Sequence, residues 1–180
     1  DTKVWREVVQ LGAALDSLAG VAGTRVVADV AVVTDWQAWW ACELDSHPSA
    51  DVTYLDRAHA VHRALWDRGV TADVVGPDAD LSGYRLVVVP TLYLVTDAAA
   101  TRLQEYVAAG GTALVTYFSG IVDENDHVRL GGYPGAYREL LGLRVEEFFP
   151  LRQGEQVVLD DGSQADVWTE LLHLDGATAV

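Results

Sequence analysis

Between Val4 and Leu18 the apolar residues Val4, Val8, Leu11, Leu15 and Leu18 recur at steps of four, three, four and three, the stripe of an amphipathic helix. Gly20 and Gly23 follow and stop it. This helix precedes the first strand, so it reads as a linker helix packed on another domain. Val26 to Val33 is apolar and β-branched except for Asp29 and ends at Thr34-Asp35, the pattern of a buried parallel strand. The segment Trp36-Gln37-Ala38-Trp39-Trp40-Ala41 predicts a short helix or a structured loop. Tyr54 to Arg68 predicts a helix with Leu55, Ala58, Val61, His62, Leu65 and Trp66 on one face and Gly69 as its C-terminal cap. Ala72 to Val75 is a short strand before Gly76-Pro77, and Leu86 to Val89 is a third, stopped by Pro90. Asp97 to Ala109 is helical with Leu103, Tyr106 and Val107 inward, and Gly110-Gly111 ends it. Thr112 to Tyr117 is a fourth strand. The alternation of strand and helix predicts an α/β fold: a doubly wound, mainly parallel sheet with helices on both faces.

The remainder loses this rhythm. Ser119 to Gly135 is a polar loop, long enough to be functional or interfacial. Ala136 to Leu141 predicts a short helix ended by Gly142. Leu143 to Glu147, Gln156 to Leu159 and Ala165 to Leu172 read as extended segments around an Asp160-Asp161-Gly162 turn.

Composition narrows the class. The chain has 180 residues and a net charge of −15, so nucleic acid and anionic membranes are unsuitable partners. Its longest apolar runs, such as Leu86 to Val89 and Leu92 to Val95, are far too short to span a bilayer. Cys42 is the single cysteine, which excludes an internal disulfide and a cysteine-based zinc cluster and fits a reducing cytoplasm. Methionine is absent, so Asp1 is expected to be an internal position or a processed end, and any signal peptide would lie upstream. Lys3 is the only lysine among 12 basic residues, which with the abundant Ala, Val and Asp suggests a GC-rich bacterial genome.

Candidate chemistry is thin. Glycoside hydrolysis needs two facing carboxyl groups, and nothing in the spacing of Glu43, Asp45, Asp123, Glu124 and Asp126 forces such a pair. His59 and His62 are a possible metal pair without further ligands nearby in sequence, so helix packing is the expected role and no metal site is predicted. Gly131-Gly132 and Pro134-Gly135 lack the lysine and the strand–loop–helix frame of a phosphate loop, and no cofactor is expected. Trp36, Trp39 and Trp40 follow the first strand, where a doubly wound sheet places its ligand site. Indoles there suit a sugar face or a protein interface.

The stretch from Ala28 to Ala41, Asp78 to Tyr84, Pro90 to Thr96 and Gly110 to Thr112 resemble the middle domain of family 42 β-galactosidases. Tyr117-Phe-Ser-Gly-Ile-Val-Asp-Glu-Asn-Asp-His-Val-Arg-Leu-Gly-Gly-Tyr-Pro-Gly135 and Glu146 to Leu151 carry the resemblance most strongly. The likeness runs over residues 4 to 175. It implies a flavodoxin-like fold, similar to class I glutamine amidotransferases, known in the family as the trimerisation domain. It also implies a TIM barrel upstream, bearing both catalytic glutamates of a retaining enzyme, and a small β domain downstream. Residues 1–23 would then lead in from the barrel, and residues 24–180 would form the trimerisation domain. The expected partners are the barrel and β domain of the same parent chain and the other copies of a homotrimer, with a galactoside met only indirectly. No catalytic residue is expected in this chain. The interface or neighbouring-pocket candidates are Trp36, Trp39, Trp40, Ser119, Asp123, Glu124, His127 and Tyr133.

The alternative is a free-standing, degenerate amidotransferase-like domain that binds or hydrolyses a small molecule. Its nucleophile would sit near Tyr117-Phe118-Ser119-Gly120. No cysteine is there, and Tyr117 takes the place of the first glycine in Gly-x-Ser-x-Gly. Ser119 is therefore expected to make a turn or cap hydrogen bond.

Overall fold

The computed structural model describes residues 2–179, so Asp1 and Val180, the outer ends of the two expected segments, lie outside the described residues. Helix α1 (Lys3–Ser17) starts at the N-cap Thr2, whose side chain accepts from Trp5 N. It carries the predicted apolar stripe, yet none of its residues is buried: Val4 is 67% exposed, and Leu11 and Leu15 are each 59% exposed. The stripe is left uncovered by the rest of the domain.

Four parallel strands form the central sheet: β1 (Val30–Val33), β2 (Ala72–Val75), β3 (Leu86–Val89) and β4 (Thr112–Val115), in the order β2-β1-β3-β4. Helix α2 (Trp36–Cys42) follows β1, helix α3 (Tyr54–Trp66) links β1 to β2, and helix α4 (Asp97–Ala108) links β3 to β4. Alternate residues of the strands face opposite sides. Ala31, Val33, Val87 and Val89 join Leu103 and Tyr106 of α4 in the main core. On the other face Val32 is buried beside α3, and Val74 of the edge strand borders the same helix but stays 60% exposed. The doubly wound α/β prediction holds, with one helix layer on each side.

Several elements differ from the sequence reading: β4 ends at Val115, α3 at Trp66, the strand from Leu143 runs on to Pro150, and the last extended segment divides into two strands. Val26 and Val27 are 75% and 83% exposed, because the sheet begins only at Val30. Helix α3 is rotated: Tyr54 and Ala58 are buried, whereas Leu55 and Trp66 are exposed. The start of the predicted polar loop is core. Ser119, Gly120, Ile121 and Val122 are all buried, and the Ile121 and Gly120 amides donate to the carbonyls of Tyr93 and Leu92.

The chain closes with a short helix α5 (Arg138–Leu141), ended by Gly142 at φ 61°. After it come β5 (Leu143–Pro150), β6 (Val157–Val158), β7 (Gln164–Ala165) and β8 (Trp168–Leu174). Strands β5 and β8 pair antiparallel with a bulge between Val145 and Glu147. They deliver Phe148 and Trp168 onto Phe118, with ring centroids 5.4 and 5.0 Å away, which joins this hairpin to the sheet domain.

Candidate functional site

Chain order reverses between β1 and β3, so the crevice beyond their C-terminal ends is where such a sheet receives a ligand. Here tyrosines fill it. Tyr54 and Tyr137 are each 1% exposed, and the Tyr54 hydroxyl accepts the Asp35 amide at 2.9 Å. Leu81, Leu92 and Tyr137 leave a void of only about 10 Å³, about the minimum for one water. Burial pushes the Tyr54 phenol up to about 12 and that of Tyr137 higher still, so both stay neutral.

Beyond β4 the chain makes a sharp turn at Phe118, held in the left-handed region at φ 55°. A non-glycine residue there costs about 1–3 kcal/mol and needs support from its surroundings. The support is Glu170 of β8. Its carboxylate accepts from Trp168 Nε1 at 2.8 Å and from the Phe118 amide, while burial raises its pKa. Glu170 belongs to no motif; its only sign in the sequence is a position two residues after Trp168, on the same strand face.

Ser119 follows this turn but is 2% exposed. Its hydroxyl accepts from the Leu92 amide at 3.0 Å and donates to the Val89 carbonyl at 3.4 Å. The hydroxyl is thus committed to the backbone, but through long-range bonds to the chain at and beyond the end of β3 rather than through the expected turn or cap bond. His127 belongs to a separate exposed turn in which Asp123 Oδ1 accepts from the amides of Asn125 and His127 at 2.8 and 3.0 Å. Those two bonds hold the Asp123 carboxyl below its ordinary range. Among the described residues no hydrogen bond links Ser119 to His127. Glu124 is exposed, and Tyr133 is half-buried with its ring 4.7 Å from Phe148.

The tryptophans divide as their spacing requires. Asp35 caps α2 by accepting the Ala38 amide at 3.0 Å, and this turn of helix cannot bury three indoles on one side. Trp36 and Trp40 are 67% and 64% exposed, and Trp39 is half-buried. Trp36 leans on Trp39 at 5.2 Å. Together with Leu55, His59, His62 and Val74 they line an open groove of about 800 Å³, with Asp35 and Asp78 also in its wall. The two histidines thus face this groove, and among the described residues no three metal-binding side chains come together. Glu43 and Asp45 are exposed.

The loop from Asp123 to Gly135 is pinned at its base. Arg129 donates to Asp97 Oδ1 and to the Val95 carbonyl, both at 2.6 Å. Arg138 Nη1 donates to the Gly132 carbonyl at 2.9 Å. Leu130, between these anchors, is 91% exposed.

A closed ligand crevice, a serine committed to the backbone and large apolar side chains held outward define an α/β module built for contact with other protein rather than for chemistry in its own crevice. The comparisons agree. The family model described as the β-galactosidase trimerisation domain matches residues 28–180, and the chain belongs to that family. It is 61% identical to a β-galactosidase of Arthrobacter sp. over 179 residues, covering 99% of this chain and 26% of that protein. A β-galactosidase of Geobacillus sp. is 42% identical over 180 residues, covering 98% and 27%. The crystal structure of a β-galactosidase from Bacillus circulans sp. alkalophilus superposes with TM-score 0.86 at 38% identity, covering 97% of this chain and 27% of that one. The chain therefore spans about a quarter of the length of the relatives it matches.

Proposed function

We propose that this domain assembles a β-galactosidase into a homotrimer and takes no part in bond cleavage itself. The observation that carries the reading is the pairing of a filled switch-point crevice with outward Trp36, Trp40 and Leu130. The parent enzyme hydrolyses terminal β-D-galactosides with retention, on a barrel outside this chain. The exposed stripe of α1 rests on that barrel, because fifteen residues with none buried need a covering surface. The β domain of the parent follows the β5–β8 hairpin. The groove beside Trp36 and the 119–135 loop lie at the contact between copies or border the neighbouring copy's sugar pocket. The single buried thiol, Cys42, supports a cytoplasmic setting; among the described residues no helix is long and apolar enough to cross a membrane.

The test uses a chromogenic β-galactoside and light scattering on the full-length protein and on this chain. The full-length protein is expected to be an active trimer, and this chain to show no turnover. Turnover by this chain that is lost on Glu43→Gln or Glu124→Gln, or an active full-length monomer, would overturn the proposal.

A further inference from the structure

Within the family-matched residues 28–180, Leu130 is the most exposed large apolar side chain among the described residues. Its backbone is not free to turn it inward. Arg129 is fixed on Asp97 and Val95, and Arg138 holds the Gly132 carbonyl. Gly131 and Gly132 stand at φ 96° and 101°, and a Cβ on either would strike Arg138 or Arg144 at 2.9 or 2.7 Å. Arg129 precedes Leu130 in the chain, and the side chains of Arg138 and Arg144 lie beside Gly131 and Gly132 just after it, on a chain of net charge −15. Among the described residues neither Arg138 nor Arg144 is in an ion pair.

The groove beside Trp36 has the opposite character. Its apolar lining includes Trp36, Trp39, Leu55 and Val74, and its carboxylates are Asp35 and Asp78, with His59 and His62 beside them. It lies against edge strand β2, whereas the 119–135 segment is tied to the chain just beyond β3. A closed trimer joins two different surfaces of each copy head to tail. We propose that Leu130 of one copy inserts into the Trp36–Trp39 groove of the next, with Arg138 and Arg144 meeting Asp35 and Asp78. The occupant is a second copy of this chain, because an acidic protein offers an arginine-rimmed knob its best complement in its own acidic surface. A rigid apolar anchor also loses little entropy on docking. This inference rests on the trimer reading above and names the two surfaces that make it.

The experiment uses the full-length protein and two variants, Leu130→Asp and Trp36→Ala, whose side chains are exposed and whose folding is checked by circular dichroism. Light scattering over a concentration series reads the assembly. Each variant alone is expected to raise the dissociation concentration about tenfold or more, equivalent to about 1.4 kcal/mol. An equimolar mixture should form a one-to-one dimer, because one intact knob meets one intact groove and the ring cannot close. A Leu130→Asp protein as trimeric as the wild type overturns the proposal. Variants that both dissociate but do not pair on mixing overturn the match of knob to groove. A wild-type protein that is not a trimer overturns the assembly reading instead, so the two failures are distinguishable.

Discussion

The tryptophans permit a direct separation of folding from assembly. Trp168 is 6% exposed, with its ring 5.4 Å from Tyr117, 5.0 Å from Phe118 and 5.5 Å from Phe148. Its Nε1 donates to Glu170, the residue that supports the strained turn at Phe118. Trp168→Ala therefore opens a cavity, removes three ring contacts and frees the carboxylate. Truncating a buried tryptophan to alanine costs about 3–5 kcal/mol. For a domain of this size that lowers Tm by roughly 6–20 °C. Trp36→Ala removes a side chain that is 67% exposed and leans on one ring, so its cost is about 1 kcal/mol or less. Urea unfolding of this chain, followed by circular dichroism, compares the two. Equal destabilisation, or a loss below about 1 kcal/mol for Trp168→Ala, would refute the assignment of Trp168 to the fold and Trp36 to the outer surface.

Ser119→Ala should cost about 1–3 kcal/mol in the same assay by leaving the buried Leu92 amide without its acceptor, and a neutral result would contradict that bond. Burial pushes the Cys42 thiol up to about 12, so iodoacetamide at pH 8 should leave it unmodified until the chain unfolds; stoichiometric labelling of the native protein would disprove the burial. Glu170 has a folded-state pKa above its ordinary 4.5, so the folded form holds this proton more tightly than the unfolded chain does. That contribution is complete below the unfolded pKa and is lost as pH rises through the folded one. The stability of Glu170→Gln relative to wild type should accordingly improve as pH rises from about 4.5 towards neutrality, and an unchanged difference would contradict the shift.

The parts of the fold legible in the sequence are those whose signal is local. Val87 to Val89 could only be a buried strand, and Asp97 with Gly110 bracketed a helix correctly to one residue. Val26 and Val27 look no different from Val30 and Val32, and what separates them is whether a neighbouring strand lies alongside. In α3 both Leu55 and Tyr54 fit an apolar stripe, and the choice fell to Tyr54 through its bond with the distant Asp35 amide. The same holds for the candidate site. Ile121 and Val122 were hidden in a polar stretch because their partners, Tyr93 to Val95, lie 27 or more positions earlier. The filled crevice and the Glu170 brace join residues far apart in the chain, and no periodicity announces either. The exposed indoles were readable because three tryptophans in five positions exceed what one short helix can cover.

Helix α1 has a consequence for how the domain is joined to its surroundings. Fifteen residues without a buried side chain make a helix that is marginal in water by itself. A free helix of this length exchanges with coil in about 0.1–1 μs. Its persistence is therefore a property of whatever it lies against, and part of that docking energy goes into ordering it. On the proposed docking of α1 against the barrel, the joint would behave as a clutch rather than a rod. Engaged, α1 spans about 22 Å at 1.5 Å per residue and transmits orientation; released, it becomes a slack tether. With α1 docked as proposed, the domain's orientation would be set by the docking surface rather than by the backbone at Gly20 and Gly23, and amide exchange along α1 in the full-length protein would report its engagement directly.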